Sequence, residues 1–470
     1  MILDLTSKKP LYNQIYQQIR QDILTGVMKQ GSRLKSSRAL SSELGISRNT
    51  VDLAYDHLFA EGFITSVPRK GYYVEIPDML PVPDKGTFKE TCCCSNKESH
   101  HDDKILYDFQ SDKLLITEFP CHQWKKLLLR CIHEHSEESE EASVFGSLGL
   151  QTEIRRFLHL YSNVECSTEQ ILITTGRQHC LELACRLIKT VDSRPYIALE
   201  DPGFDQSRIT LQNNGCQIFP MKLDSLGPLI PSIEKTAIGA AYVTPSHEFP
   251  TGIGMSLSRR KEFSRWADTA STYLIEDESN CFFHHNLKPF PPLHHLNPER
   301  TFYLGGFSDL LYPCVDVAFL VVPASLVTAM HRLIDQHTPF VPYLSQKPLE
   351  LFLKEGHWDA HIRRVRKMKK EKCRLLIHAL KHRFGHQIHI SDFQSGMYIL
   401  IQAKWHITEE ELVTQAYEAG ILVCPVSKSW YEPEPCQSPS LLLHYSHISF
   451  EDIAPCVDRL YETWSAGLEP

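Results

Sequence analysis

Hydrophobic and polar positions change period several times along this 470-residue chain. Over residues 10–26, Leu11, Ile15, Ile19 and Ile23 recur at helical spacing, and Gly26 can end the helix. A small apolar face, Leu40 with Leu44, precedes Gly45, which suits a tight turn. Ser47 is then a natural N-cap for a helix whose buried face is Val51, Ala54, Tyr55 and Leu58. Helix, glycine-containing turn and helix is the helix-turn-helix layout. The following FITSVPRKGYYVEI reads as two short strands joined by Pro68, Arg69, Lys70 and Gly71.

Periodicity then stops. Residues 77–105 carry three prolines and few large apolar side chains, so they read as a linker between a domain at 1–76 and a domain at 106–470. Cys92, Cys93, Cys94, His100 and His101 could ligate a metal, but their spacing matches no zinc pattern. A tether with oxidisable thiols is the better reading, and no metal site is expected. From residue 106 onward, apolar runs alternate with amphipathic patterns. Strands are predicted at 170–175, 195–201, 239–245, 272–278, 301–306 and 317–323. Helices are predicted at 177–189, 257–269 and 324–337. Short buried strands alternating with helices predict an α/β domain with a mainly parallel sheet covered on both faces. Ligands of such sheets sit beyond the carboxyl ends of the strands. Residues 360–382 read as a long basic amphipathic helix, its charge a solvated face.

Composition narrows the class. Hydrophobic residues make up 42% and charged residues 23%, as in soluble globular proteins. No apolar run reaches membrane-spanning length, and the N-terminus lacks the layout of a signal peptide. Fifteen cysteines show no disulfide-scaffold spacing, which predicts a reducing cytoplasm. The net charge is −8, yet residues 1–76 carry ten Lys and Arg against seven Asp and Glu. A basic module on an acidic body suits a nucleic-acid reader. In that module Arg48, Asn49 and Thr50 stand at the start of the second helix of the pair, where they can reach base edges and phosphates. The hairpin tip is a wing that can follow a phosphate backbone.

Along its full length this module resembles the GntR family of winged-helix regulators, through PLYNQI, GSRLKSSRALSSELGISRNTV, LFAEGFI and GYYV. The resemblance implies DNA contacts from Arg38, Arg48, Asn49, Thr50 and the wing residues Arg69, Lys70 and Gly71. Ser36 and Ser47 would add backbone contacts. Lys35 stands where that family commonly has proline.

The remainder resembles the aminotransferase-like domain of MocR-type regulators, a GntR subfamily built on the fold-type I aminotransferase fold. TTGRQHCLELA is similar to the turn and helix start that cradle a cofactor phosphate, which implicates Gly176, Arg177 and Gln178. EDPGF is similar to a motif that usually ends in tyrosine; here it ends in Phe204. YVTPSHEFPTG resembles a loop beside the cofactor and contributes His247, with Glu248 where glutamine is usual. LIEDESN maps Asp277 onto the partner of the pyridine nitrogen and Ser279 onto a ring-contacting tyrosine. In TFYLGGFSDLLYPCVDVAFL, Ser308 keeps its place, Asp309 replaces the cofactor lysine, and Asp316 replaces a phosphate-binding arginine. His444 stands where an arginine often meets a substrate carboxylate.

These departures predict a catalytically inactive domain. A Schiff base needs a primary amine, which Asp309 lacks. Two like charges about 4 Å apart repel by roughly 4 kcal/mol at an effective dielectric near 20, so Asp316 opposes a phosphate. Pyridoxal phosphate is therefore not expected, covalently or in the usual pose. An acidic pocket with His247 and His444 would favour a cationic amine or a metal ion. The resemblance further implies a homodimer, paired head to tail, that binds double-stranded operator DNA and a small effector, with no membrane partner. The main alternative is a pyridoxal-phosphate-dependent aminotransferase, or a regulator responsive to that cofactor, with a DNA-binding appendage.

Overall fold

The computed structural model describes residues 9–68, 70–75, 105–134, 143–231, 237–278, 290–311, 313–391, 398–431 and 439–465. The chain separates into two compact units, Met1–Glu98 and Ser99–Pro470. The expected linker, apart from its last position, lies outside the described residues, as do Arg69 and Ser279.

In the first unit, helices α1 (Leu11–Leu24), α2 (Ser37–Leu44) and α3 (Arg48–Ala60) precede strands β1 (Ile64–Val67) and β2 (Gly71–Val74). Ile15, Ile19 and Ile23 of α1 pack with Val51, Ala54, Tyr55 and Leu58 of α3, all buried. Gly45 takes φ +65° between α2 and α3, a conformation in which a side chain would be strained. The Ser36 hydroxyl accepts from the Ala39 amide and the Ser47 hydroxyl from the Thr50 amide, each at 3.2 Å. Caps of this kind contribute about 1 kcal/mol each. β1 and β2 form an antiparallel hairpin from Ile64 opposite Val74 to Val67 opposite Gly71. Lys35 is tied on both sides: its carbonyl accepts from the Tyr55 hydroxyl at 2.8 Å and its ammonium meets Glu43 at 2.5 Å.

The second unit is built on an eight-stranded sheet. Its strands in chain order are β3 (Ile171–Thr174), β4 (Tyr196–Asp201), β5 (Gln217–Asp224), β6 (Gly227–Pro228), β7 (Ile238–Val243), β8 (Tyr273–Asp277), β9 (Thr301–Gly306) and β10 (Ala318–Val321). Helix α4 (Gly176–Val191) follows β3. Across the sheet the order is β3-β10-β9-β8-β7-β4-β5-β6. Neighbours from β9 through β5 pair in parallel. β10 runs against both of its neighbours, and β6 runs against β5. Every residue of β3, β7, β8, β9 and β10 is buried. Alternation divides them between two cores. Ala240, Tyr242 and Ile275 join Cys180, Leu181 and Ala184 of α4. Ala241, Val243 and Leu274 join Phe263 and Trp266.

Helix α5 (His357–Phe384) leads to a four-stranded antiparallel sheet. Its strands are β11 (Ile388–Ile390), β12 (Tyr398–Ala403), β13 (Cys424–Pro425) and β14 (Ser440–His444). The six strands expected from apolar runs are all present, and 257–269 is a helix as expected. β5 and the small sheet lie outside that expectation. Pro220 inside β5 and the irregular exposure of that strand mask its signal. The charge of α5 is not wholly solvated: Lys369 and Lys372 are fully buried. Every described cysteine is a free thiol. No described helix is long and apolar enough to cross a membrane.

Candidate functional site

Two sets of side chains carry chemistry, one in each unit. In the first, Arg38, Arg48, Asn49, Lys70 and Gly71 are exposed. Arg48 lies 3.4 Å from Asp52, one turn along α3. Ser47 and Thr50 hydroxyls are 2.8 Å apart, so both help to fix the start of α3. Ser36 fixes the start of α2 in the same way. These helix starts, with the hairpin tip, are the face expected to meet DNA.

In the second unit the site forms at the carboxyl ends of β8 and β9 and the start of α4, the place where parallel sheets bind ligands. Asp277 ends β8 and is buried. The Tyr242 hydroxyl donates to Asp277 Oδ2 at 2.6 Å, and the Ser207 hydroxyl donates to the Tyr242 oxygen at 3.0 Å. Arg177 Nε stands 3.7 Å from the same Asp277 oxygen. The Arg177 guanidinium carbon lies 5.0 Å from the centroid of the Phe204 ring, which stacks on Phe249 at 4.2 Å. Burial works against the charge on Arg177, but Asp277, Tyr242, Asp309 and Asp112 together outweigh it and raise its pKa.

After β9, Ser308 and Asp309 open a single helical turn, Ser308–Leu311. The Ser308 hydroxyl donates to Asp316 Oδ1 at 2.6 Å. Gly176 has φ +66°, and a Cβ placed there would lie 3.0 Å from Asp316 Oδ2. The Asp316 carboxylate therefore sits over the first residue of α4. A cavity of about 490 Å³ opens beside it, lined by Asp112, Lys113, Arg177, Gln178, Asp309 and Asp316 among others. Asp309 Oδ2 is buried without a hydrogen-bond partner. Burial pushes the Asp309 carboxyl up to about 7; Asp112 and Asp277 act in the same sense, Arg177 and Lys369 against it. Burial pulls the Lys369 ammonium down to about 8, against the pull of Asp309 and Asp112.

The expected cleft is thus divided. Gly176, Arg177, Gln178, Ser308, Asp309 and Asp316 line the cavity. Phe204, His247 and Asp277 do not; they line a narrow recess that shares only Arg177 with it. His247 and His444 do not line the cavity: His247 shares the recess with Asp277 and Glu278, and His444 lines neither. Their rings each lie 5.3 Å from that of Tyr398, a side chain that no sequence signal places between them. Burial drives His444 down to about 4, so it is neutral. Glu248 is fully buried, and burial with the nearby Glu200 raises its carboxyl to about 10, so it is neutral as the usual glutamine would be. Among the described residues, no group of three or more His, Cys, Asp or Glu is placed to hold a metal ion. Sequence reasoning missed Asp112, Tyr242 and Lys369. Only Lys369 left a trace, as a charge at a position that helical spacing turns inward with Val365 and Leu376.

These values set a pH dependence. In the fold Asp309 holds its proton up to about 7, against an ordinary 3.8. A raised value stabilises the fold at pH below the ordinary value, and that contribution is lost as pH rises through the folded one. Relative to Asp309→Asn, the wild-type melting temperature is expected to fall between pH 4 and pH 7. A constant difference in parallel thermal melts would contradict the assignment.

Comparison with known proteins agrees with both halves of the geometry. Residues 11–74 match the model of the gntR family of bacterial regulatory proteins. The uncharacterized HTH-type transcriptional regulator YhdI of Bacillus subtilis (strain 168) is 32% identical over 467 residues, spanning 98% of this chain and 97% of that protein. The probable rhizopine catabolism regulatory protein MocR of Rhizobium meliloti is 25% identical over 454 residues, 94% of this chain and 91% of that one. The crystal structure of LysN, an alpha-aminoadipate aminotransferase from Thermus thermophilus complexed with N-(5'-phosphopyridoxyl)-L-leucine, matches 78% of this chain and 93% of its own with a TM-score of 0.66 at 24% identity. That likeness is one of fold. The chain belongs to the HTH-type transcriptional regulators of the MocR type, in which a GntR-family winged helix is joined to a fold-type I aminotransferase-like domain.

Proposed function

We propose that this regulator reads operator DNA as a homodimer in the cytoplasm, and that its aminotransferase-like domain neither holds pyridoxal phosphate nor transfers amino groups. The observation that carries this reading is the Asp309 carboxylate at the turn after β9, where the family resemblance puts the cofactor lysine. A carboxylate cannot condense with an aldehyde. Asp316 and His444 also oppose the cofactor. The Asp316 carboxylate lies over Gly176, at the helix start that would receive the phosphate. Repulsion between these anions is roughly 4 kcal/mol per charge pair at about 4 Å and an effective dielectric near 20. His444, neutral and buried, offers no cation to a substrate carboxylate. Above about pH 7, Asp112, Asp309 and Asp316 outnumber Lys113 and Arg177 around one cavity, which favours a small cationic amine as effector.

Pairing of two chains, which the family resemblance implies is head to tail, draws support as pairing from apolar side chains left exposed on the second unit. Leu129, Ile132, Leu148 and Leu160 are 47%, 50%, 67% and 62% exposed. A second copy that covers such residues removes apolar surface from water.

Two outcomes are expected. On an operator selected from random duplexes, Arg48→Ala should weaken binding by about 1–3 kcal/mol if Arg48 meets a guanine edge. If it meets only phosphate, affinity should drop equally on all sequences and the salt dependence should flatten. Unchanged gel-shift titrations for both the Arg48→Ala and Arg38→Ala proteins would refute this DNA-reading face. In sedimentation, the full chain should run as a dimer at micromolar concentration, and Leu148→Glu should shift it toward monomer. A wild-type monomer would refute the pairing.

A further inference from the structure

The cofactor-like site is not merely missing its lysine. Two charged side chains stand in it, and neither placement follows from the loss of an amine at residue 309. We propose that Arg177 and Asp316 are internal substitutes for the two charged ends of a phosphorylated pyridine: the Arg177 guanidinium fills the place of the ring, and the Asp316 carboxylate fills the place of the phosphate. This rests on the reading above that the cleft holds no cofactor.

The ring position is defined by an aromatic face and a buried carboxylate. The resemblance gives the carboxylate, Asp277, to the pyridine nitrogen. A guanidinium is a planar, delocalised cation, as a protonated pyridine is, and it satisfies the same two surroundings. Arg177 meets both. Its guanidinium carbon is 5.0 Å from the Phe204 centroid, and its Nε is 3.7 Å from Asp277 Oδ2. The Asp277 side chain is only 1% exposed. A carboxylate so deeply buried is costly without a cation beside it. Tyr242 supplies a hydrogen bond at 2.6 Å but no charge. Arg177 supplies the charge permanently.

The phosphate position is defined by the start of α4. That helix has 16 residues, and its N-terminal end carries a partial positive charge. Asp316 lies over Gly176, the first residue of α4, with its carboxylate oxygens 3.0 and 3.2 Å from where a Cβ would stand. Ser308 holds Oδ1 at 2.6 Å. An anion tethered to the chain competes at high effective concentration with any phosphate from solution. The two substitutes are therefore separable. Removing Arg177 should open the ring position, and removing Asp316 should open the phosphate position.

The probe is pyridoxine 5′-phosphate, which has no aldehyde and cannot bond to any lysine. Binding is read as the melting-temperature shift and the quenching of tryptophan fluorescence of the full chain. Wild type should show no saturable binding. Asp316→Ser, at an exposed position that should fold normally, should gain a melting-temperature rise with inorganic phosphate. Arg177→Ala should melt lower than wild type and gain binding of unphosphorylated pyridoxine, which restores a partner to Asp277. The double variant should bind pyridoxine 5′-phosphate about tenfold or more tighter than either single variant. Arg177→Lys, which keeps the charge but not the plane, should fold and bind pyridoxine less well than Arg177→Ala. The proposal is overturned if wild type binds the probe as well as the double variant does, or if Asp316→Ser gains nothing with phosphate. Borohydride-fixed pyridoxal phosphate on wild type would instead overturn the reading of the cleft, and this alcohol probe cannot produce that signal.

Discussion

A carboxylate buried at the end of a parallel strand must be given a partner, and much of the second unit is arranged around that requirement. Asp277 ends β8 with almost no exposure to solvent. Tyr242 from β7 donates to it, Ser207 supports Tyr242, and Arg177 from α4 supplies the counter-charge. These three side chains come from three separate βα segments. The nearby Asp309 is the contrasting case. It has no hydrogen-bond partner for Oδ2, its carboxyl is pushed up to about 7, and its compensation comes at longer range from Arg177 and Lys369.

The exchange of charge is not local. Where the resemblance expects a lysine and an arginine on the loop after β9, the chain has Asp309 and Asp316. Cations on other elements lie nearby: Arg177 on α4 and Lys113 line the cavity, and the buried Lys369 on α5 acts on Asp309. The sheet beneath is lined by apolar side chains on both faces.

Local contacts made the first unit legible. Its helices show the 3.6 period in Ile15, Ile19 and Ile23, its caps are serines in the expected places, and its hairpin register follows from the short tip. Buried parallel strands were legible for the same reason: each is a continuous apolar run. β5, with Pro220 and mixed exposure, and the short strands β11 and β13 lack that signal. The cleft was legible only as a set of substitutions. That Arg177 would lie between Phe204 and Asp277 depends on residues far apart in sequence and brought together by sheet order. That His247 and His444 would flank Tyr398, away from Asp309, depends on how the small sheet packs, which no local period reveals.

The central claim is that the carboxylate at residue 309 ends cofactor chemistry in this domain. The most direct measurement is intact-protein mass spectrometry after incubation with excess pyridoxal 5′-phosphate and borohydride, followed by peptide mapping. No stoichiometric adduct is expected, only the scattered modification of exposed lysines that any protein shows. A single adduct per chain at Lys113, which lines the cavity, or at the buried Lys369 beside it would contradict this.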